Sequence, residues 1–249
     1  MKAPLFYLRK PLLHAIQSSN MLKLQNEAKN PGIPPAGDGA VTYSIRPMVK
    51  EDLGQVTAID REAFPTQWPP ANYRQELENR LAHYIVACDD SRTADEAESI
   101  QPSVMSSMSD WLRTRFGRNR PANSDSAKAP REYIIGFSGI WVMANEAHIT
   151  NIAVRQEYQG KGFGELLLIA TIDLARQLNA SMMTLEVRAS NTVAQNLYGK
   201  YGFANVGTRR GYYMDNREDA VIMTAESIIS EPFQEQIQQL RESLTKKLY

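Results

Sequence analysis

Cysteine is nearly absent. Cys88 is the single one in 249 residues, which excludes an internal disulfide framework and fits a reducing compartment, the cytoplasm by default. Net charge is missing too: Lys plus Arg and Asp plus Glu both number 28, so no broad field draws the chain to nucleic acid or an anionic membrane, and neither is expected as a direct partner. No uninterrupted apolar run is long enough for a membrane span, and Arg9, Lys10 and Pro11 interrupt the apolar residues where a signal peptide would lie. His14, His83 and His148 are scattered without ligand spacing, so no metal is expected. Two familiar phosphate-binding fingerprints, G-x-G-x-x-G and G-x-x-x-x-G-K-[ST], do not occur.

What is there is a chain able to bury one full core, read as a domain with appendages. Asn30 to Ala40, crowded with Pro and Gly, breaks helix and strand alike and closes an N-terminal extension over 1–40. Within it Leu12, Leu13, Ile16 and Leu24 have the spacing of a short amphipathic helix. The folded domain is expected over 41–226. Inside it, 89–131 is rich in Ser, Asp, Glu, Ala, Pro and Arg without sustained periodicity, and reads as a low-complexity insertion between two strands with a short helix at Val104 to Phe116. Residues 227–249 follow as an amphipathic helix starting at Pro232, with Phe233, Ile237, Leu240, Leu244 and Leu248 on one side to pack against the domain.

The periodicities predict strands at Tyr43–Pro47, Ala82–Cys88, Tyr133–Met143, Ala147–Val154, Met182–Arg188, Phe203–Thr208 and Ala220–Thr224. Helices are predicted at Val49–Phe64, from Pro69 to about Arg80, and at Glu165–Leu178 and Asn191–Tyr201. Asn191 suits an N-cap and Gly202 a helix stop. Strand, helix, strand, helix, strand in the second half makes a crossover arrangement and puts the fold in the α/β class.

The chain is organised about Asn151 to Gly164. A β-branched run, Ile149–Val154, gives way to polar Arg155–Gln159 and then to a loop carrying Gly160, Gly162 and Gly164, which opens an apolar helix. Glycines let main-chain N–H groups come close to a ligand. A helix start leaves its first N–H groups unpaired and carries partial positive charge, so a diphosphate would be held largely by backbone, with Lys161 adding a cation. The same glycines also suit a tight strand-to-helix connection that binds nothing.

Two side chains are candidates for chemistry. Alternation in 182–188 sends Met183, Leu185 and Val187 to one face and Thr184, Glu186 and Arg188 to the other. A carboxylate on a core strand is costly unless paired or put to use. Glu186 is therefore either a salt-bridge partner, of Arg188 or of a neighbouring strand, or a general base. Tyr198, on the helix face of Ala194, Leu197 and Tyr201, is either a half-buried packing residue or a phenol placed to protonate a leaving thiolate.

Gln159-x-x-Gly162-x-Gly164 behind a strand resembles the coenzyme A signature, Q/R-x-x-G-x-G/A, of the Gcn5-related N-acetyltransferases (GNAT). The run Leu185-Glu186-Val187-Arg188-Ala189-Ser190-Asn191, then Ala194, Leu197-Tyr198, Tyr201-Gly202-Phe203, Arg209-Arg210-Gly211-Tyr212-Tyr213 and Arg217-Glu218-Asp219-Ala220, makes residues 43 to 226 similar to the bacterial ribosomal-protein-alanine branch of that superfamily. The resemblance implies a mixed central sheet of about six to seven strands with flanking helices and a splayed central pair, acetyl-CoA as donor, and the α-amine of a protein N-terminus, a ribosomal protein above all, as acceptor. It implies that Ile152, Ala153 and Val154 bind pantetheine through the main chain. Gln159, Gly160, Lys161, Gly162, Phe163, Gly164 and Glu165 would take the pyrophosphate, and Asn191 the coenzyme as well. Glu186 would be the base, through a water, and Tyr198 the acid. Phe64, Trp68, Arg209, Tyr212 and Tyr213 would wall the acceptor groove. Direct transfer needs no acyl-enzyme, so Cys88 is expected in the core.

This chain departs from the family pattern at three places: Thr66-Gln67 inserted before Trp68, Gly211 where Asn is common, and a short Met214-Asp215-Asn216 loop. These bear on acceptor preference, which leaves a lysine side chain or a small amine as the alternative acceptor. A non-catalytic acyl-CoA-binding module is the other alternative, and the presence of both Glu186 and Tyr198 argues against it.

Overall fold

The computed structural model describes residues 43–66, 71–94 and 131–248. The N-terminal extension, the expected helix at Val104–Phe116 and the candidate Trp68 lie outside the described residues. Seven strands form one sheet: β1 (Tyr43–Pro47), β2 (Ala82–Thr93), β3 (Glu132–Met143), β4 (Glu146–Val154), β5 (Met182–Arg188), β6 (Ala204–Tyr213) and β7 (Glu218–Ala225), in the order β1-β2-β3-β4-β5-β7-β6. Every pairing is antiparallel except β4 with β5. The sheet is thus mixed, as the resemblance implied.

Helices cover both faces. On one side α1 (Leu53–Ala63) and the single turn α2 (Tyr73–Glu76) bury Val56, Ile59 and Tyr73 against Val86, Ile134 and Phe137. On the other, α3 (Phe163–Gln177) buries Leu168, Ile169 and Ile172 against Ile140, Ile149 and Leu185. With cover on both faces, β3 is buried without a break from Tyr133 to Ile140, which is why it reads as a continuous apolar run. After β5 comes α4 (Thr192–Lys200), capped by the Asn191 side chain, which accepts from the Ala194 N–H. The C-terminal α5 (Glu231–Leu248) crosses α3 in the opposite direction: Arg241 meets Asp173 at 2.7 Å, and Leu244 and Leu248 reach the loop before α3.

Four expected boundaries are corrected. The helix predicted from Pro69 to Arg80 is one turn, because its inward face is only Tyr73 and Leu77 and Asn79 then turns the chain by accepting from the Leu81 N–H. β2 runs on to Thr93, into the stretch assigned to the insertion, since the Tyr158 hydroxyl donates to Asp89 at 2.8 Å and Arg92 donates to Tyr158 at 3.0 Å. The loop expected at Tyr212–Asp219 shrinks to residues 214–217 because β6 and β7 are longer than predicted. Finally, α3 starts at Phe163, two residues before the predicted Glu165.

The sheet opens at its centre. β4 and β5 pair only from Glu146↔Met182 to Ile149↔Leu185. A register shift against β3 at Gly139/Ile140 leaves Thr150 as an extra residue on β4, and such a bulge bends its strand. Beyond it β4 continues along β3 alone, leaving a wedge beside β5.

Candidate functional site

The wedge has unpaired backbone on its β4 wall. Arg155 donates its N–H to the Ile135 carbonyl, which makes 155/135 a hydrogen-bonded pair of the antiparallel ladder. Alternation then directs Ala153 to β3 and turns the N–H groups of Ile152 and Val154 towards the side where β5 has left. Of the three residues expected to meet pantetheine, two therefore offer an N–H to the wedge and Ala153 does not.

At the end of the wedge lies the glycine loop. None of the main-chain N–H groups of Gly160, Lys161, Gly162, Phe163, Gly164 and Glu165 has a protein acceptor among the described residues; the first bond of the helix is Leu166 N–H to Gly162 O at 3.0 Å. Gly160 and Gly162 have φ of 72° and 104°, a region side chains avoid. The loop is braced from three sides. Gln159, at the signature position, donates its side-chain amide to the Val154 carbonyl at 3.0 Å. The Phe163 ring is buried, edge-on to Tyr43 and Tyr158. Behind Gly162 sits Leu244 of α5, whose Cδ1 would lie 2.9 Å from an added Cβ. The Glu165 carboxylate is turned to Lys200 and to the Tyr201 hydroxyl, which donates at 2.9 Å. Lys161 is exposed, its ammonium 5.4 Å from the centre of the Tyr158 ring. A row of unshared donors at a positive helix end is a seat for a polyanion.

Glu186 stands on the β5 wall with its side chain only 8% exposed. Its Oε1 lies 3.0 Å from Arg209 Nη2 and its Oε2 lies 3.2 Å from His148 Nε2. Salt-bridge pairing is thus present, with Arg209 of β6 across the intervening β7 and not with Arg188. That residue turns to the β6–β7 tip, 2.8 Å from Asp215 and 3.1 Å from Glu218, with its guanidinium 3.9 Å over the Tyr213 ring. Arg209, expected in the acceptor wall, holds the carboxylate from β6 while lying 5.6 Å from the exposed Tyr212 ring.

Tyr198 is half-buried against Phe203, and its hydroxyl has no hydrogen-bond partner among the described residues. Burial, with a smaller effect of nearby Tyr213, pushes its phenol up to about 12. Tyr213 is itself pushed to about 12, chiefly by burial, and lies within electrostatic reach of Glu186. So Tyr213 lies within electrostatic reach of both Glu186 and Tyr198. Phe64 closes α1 and packs into the α1–α2 core. Beside it the Thr66 hydroxyl donates to Asp215, so the elbow after α1 is tied to the β6–β7 tip. Asn191 is exposed and its side-chain oxygen caps α4. Cys88 is buried, its thiol pushed up to about 12 by burial.

Sequence reasoning missed His148 as a neighbour of Glu186, and also the Thr66–Asp215–Arg188 chain. Strand register reveals the first: His148 stands opposite Thr184 across the parallel pair, and Glu186 is two residues beyond Thr184 on the same face.

A family model described as the acetyltransferase (GNAT) family matches residues 53–203. A Bacillus subtilis (strain 168) protein provisionally named a ribosomal protein bS18-alanine N-acetyltransferase is 33% identical over 181 residues, 72% of this chain and 93% of that protein. An N-alpha-acetyltransferase of Sulfurisphaera tokodaii is 30% identical over 187 residues, covering 74% and 92%. The crystal structure of the ribosomal-protein-S18-alanine N-acetyltransferase from Escherichia coli has the same fold, with a TM-score of 0.52 at 24% identity over 75% of this chain and 94% of that one. With more than half of its length matched by the family model and nearly all of the Bacillus relative aligned to it, this chain belongs to the acetyltransferase (GNAT) family and is an N-acetyltransferase.

Proposed function

We propose that the protein moves an acetyl group from acetyl-CoA directly to the α-amine of a protein N-terminus, a ribosomal protein being the favoured acceptor, with Glu186 as base and Tyr198 as acid. The observation that carries this reading is the wedge: free N–H groups of Ile152 and Val154 on one wall, and the buried Glu186 carboxylate on the other. The unshared amides of 160–165 fit a diphosphate, which would orient the pantetheine arm along β4. The bound coenzyme supplies an activated thioester. Val154 N–H is available to the carbonyl oxygen as negative charge develops there. An α-amine has an ordinary pKa of about 8, so a carboxylate base suffices to free its lone pair, directly or through one water. Tyr198, protonated throughout the neutral range, holds a proton for the departing sulfur. The names of the relatives that align over most of their own length favour an N-terminal amine over a lysine side chain or small amine.

The test is a thiol-release assay with peptides bearing N-terminal Ala, Ser and Met and a lysine peptide blocked at its α-amine. Turnover of the free-amine peptides supports the reading. Turnover of the blocked lysine peptide alone rejects the acceptor, and coenzyme binding without thiol release on any amine rejects catalysis.

A further inference from the structure

The last turn of α5 abuts the glycine loop, and the course that brings it there is fixed at three points. Phe233 packs against Gly202 at the end of α4, where an added Cβ would lie 2.9 Å from the ring. The Gln236 side-chain amide donates to the Lys200 carbonyl at 3.3 Å, and Arg241 pairs with the buried Asp173 of α3 at 2.7 Å. The helix therefore arrives at the loop in one register. Residues i, i+3 and i+4 of a helix share a face, which groups Leu244, Lys247 and Leu248. Leu244 Cδ1 and Leu248 Cδ2 would lie 2.9 and 3.5 Å from a Cβ on Gly162, so Lys247, the third of the group, comes to the same loop. Three lysines stand around it. The Lys200 ammonium is engaged by the Glu165 carboxylate, and that of Lys161 stands 5.4 Å from the Tyr158 ring centre. Lys247 is exposed and makes neither a hydrogen bond nor an ion pair with another described residue. Glu165 senses it: burial raises this carboxylate, but Lys200 and Tyr201, and more weakly Lys247, outweigh burial and hold it below its ordinary value. With Glu165 already matched by Lys200, the charge of Lys247 is left for a ligand on the first turn of α3.

From this geometry we infer that the end of α5 is part of the coenzyme site: Lys247 binds the diphosphate, and Leu248, with Leu244 beneath it, is a positioning residue that keeps the loop amides aimed at that group. The inference rests on the diphosphate lying on the amides of 160–165, as proposed above. Gly162 needs a wall behind it because its positive φ is held by nothing in its own side chain. A lysine on the same helical face adds charge from the side opposite Lys161, so the anion is met by backbone donors in the middle and a cation at each flank.

Calorimetric titration of the full chain with coenzyme A tests this without requiring turnover. At low salt Lys247→Ala is expected to weaken binding roughly 2- to 5-fold and Lys247→Glu roughly 5- to 20-fold. Both differences should shrink to within about twofold near 1 M salt, where the screening length is about 3 Å. Lys246→Glu alters net charge and helix end equally but lies about 100° round the helix, and is expected to bind within about twofold of wild type. Dephospho-coenzyme A, which keeps the diphosphate and lacks the ribose phosphate, should show the same Lys247 effect. Leu248→Ala is expected to weaken binding roughly 2- to 10-fold at either salt, the cost of a less preorganised loop. With a peptide the wild type accepts, its kcat at saturating coenzyme and its peptide KM should stay within about twofold, a split that general loosening of the domain would not give. Lys247→Glu binding like wild type or like Lys246→Glu, or a Lys247 effect that vanishes with dephospho-coenzyme A, overturns the inference. Nitrogen-15 signals of the 160–165 amides separate the two levels of failure. If coenzyme A binds the wild type without shifting them, the diphosphate seat falls and this inference with it; if they shift while the Lys247 variants bind normally, only the inference falls.

Discussion

Replacing Gly162 by alanine isolates the loop proposed to hold the coenzyme. At φ 104° and ψ −4° the residue lies where an L side chain is strained, at a cost of about 1–2 kcal/mol. The new Cβ would meet Leu244 Cδ1 at 2.9 Å and Leu248 Cδ2 at 3.5 Å. The first is the end of a flexible side chain that can turn aside, so backbone strain dominates. If the loop keeps its shape, the loss appears as stability, roughly 2–4 °C per kcal/mol for a domain of this size. If it relaxes, the amides of 160–165 lose their common aim and coenzyme affinity falls roughly 5- to 30-fold, the equivalent of the same energy. Calorimetric titration with coenzyme A and a thermal melt measure the two outlets. Gly160→Ala, at φ 72° with nothing within 4 Å of its Cβ, is the control for backbone strain without a clash, and Leu244→Ala added to Gly162→Ala removes the clash alone. A Gly162→Ala protein with wild-type melting and wild-type coenzyme affinity would refute the reasoning.

Three further outcomes are expected. Glu186→Gln and Tyr198→Phe should each lower kcat about 100-fold, within the range for a lost proton-transfer group, while coenzyme affinity measured by titration stays within about twofold; full rates in both would remove them as catalysts. Native protein at pH 8 should resist thiol-labelling reagents, since burial holds the Cys88 thiol at about 12, and label only on unfolding; rapid native labelling contradicts its placement. Asp215 is held at about 2 by the Thr66 hydroxyl and then Arg188, and Glu218 at about 2 by Ser190 with help from Asn216 and Arg188. Both folded values are depressed, so their contribution to stability is complete above the ordinary carboxylate range of about 4 and is lost as pH falls through about 2. Asp215→Asn combined with Glu218→Gln should flatten the acid-melting profile between those limits, and an unchanged slope would mean that the tip is not tied.

Much of the fold was legible because it is written in contiguous residues. The alternation of 182–188 gave β5 its boundaries, and Asn191 and Gly202 bounded α4 because a side-chain cap and a positive-φ stop are local events. The glycine spacing after Ile149–Val154 placed the loop for the same reason. Errors fell where a neighbour decides. β2 was lengthened by Tyr158, and the β6–β7 tip was shortened by Arg188 and by Asp219, which accepts from the Gly211 N–H at 2.7 Å.

The same division runs through the site. Local sequence settles which side chains and which amides are on offer: a carboxylate on a core strand, a tyrosine on the following helix, a row of glycine-spaced N–H groups. How they meet is settled by long-range packing. Parallel pairing across α3 sets His148 against Glu186, the β5–β7–β6 pairing brings Arg209 to the other oxygen, and α5 folds back to seat Gly162. Period and propensity act over a few residues, whereas charge partners are chosen by register between strands far apart in the chain, and register is a property of the whole sheet.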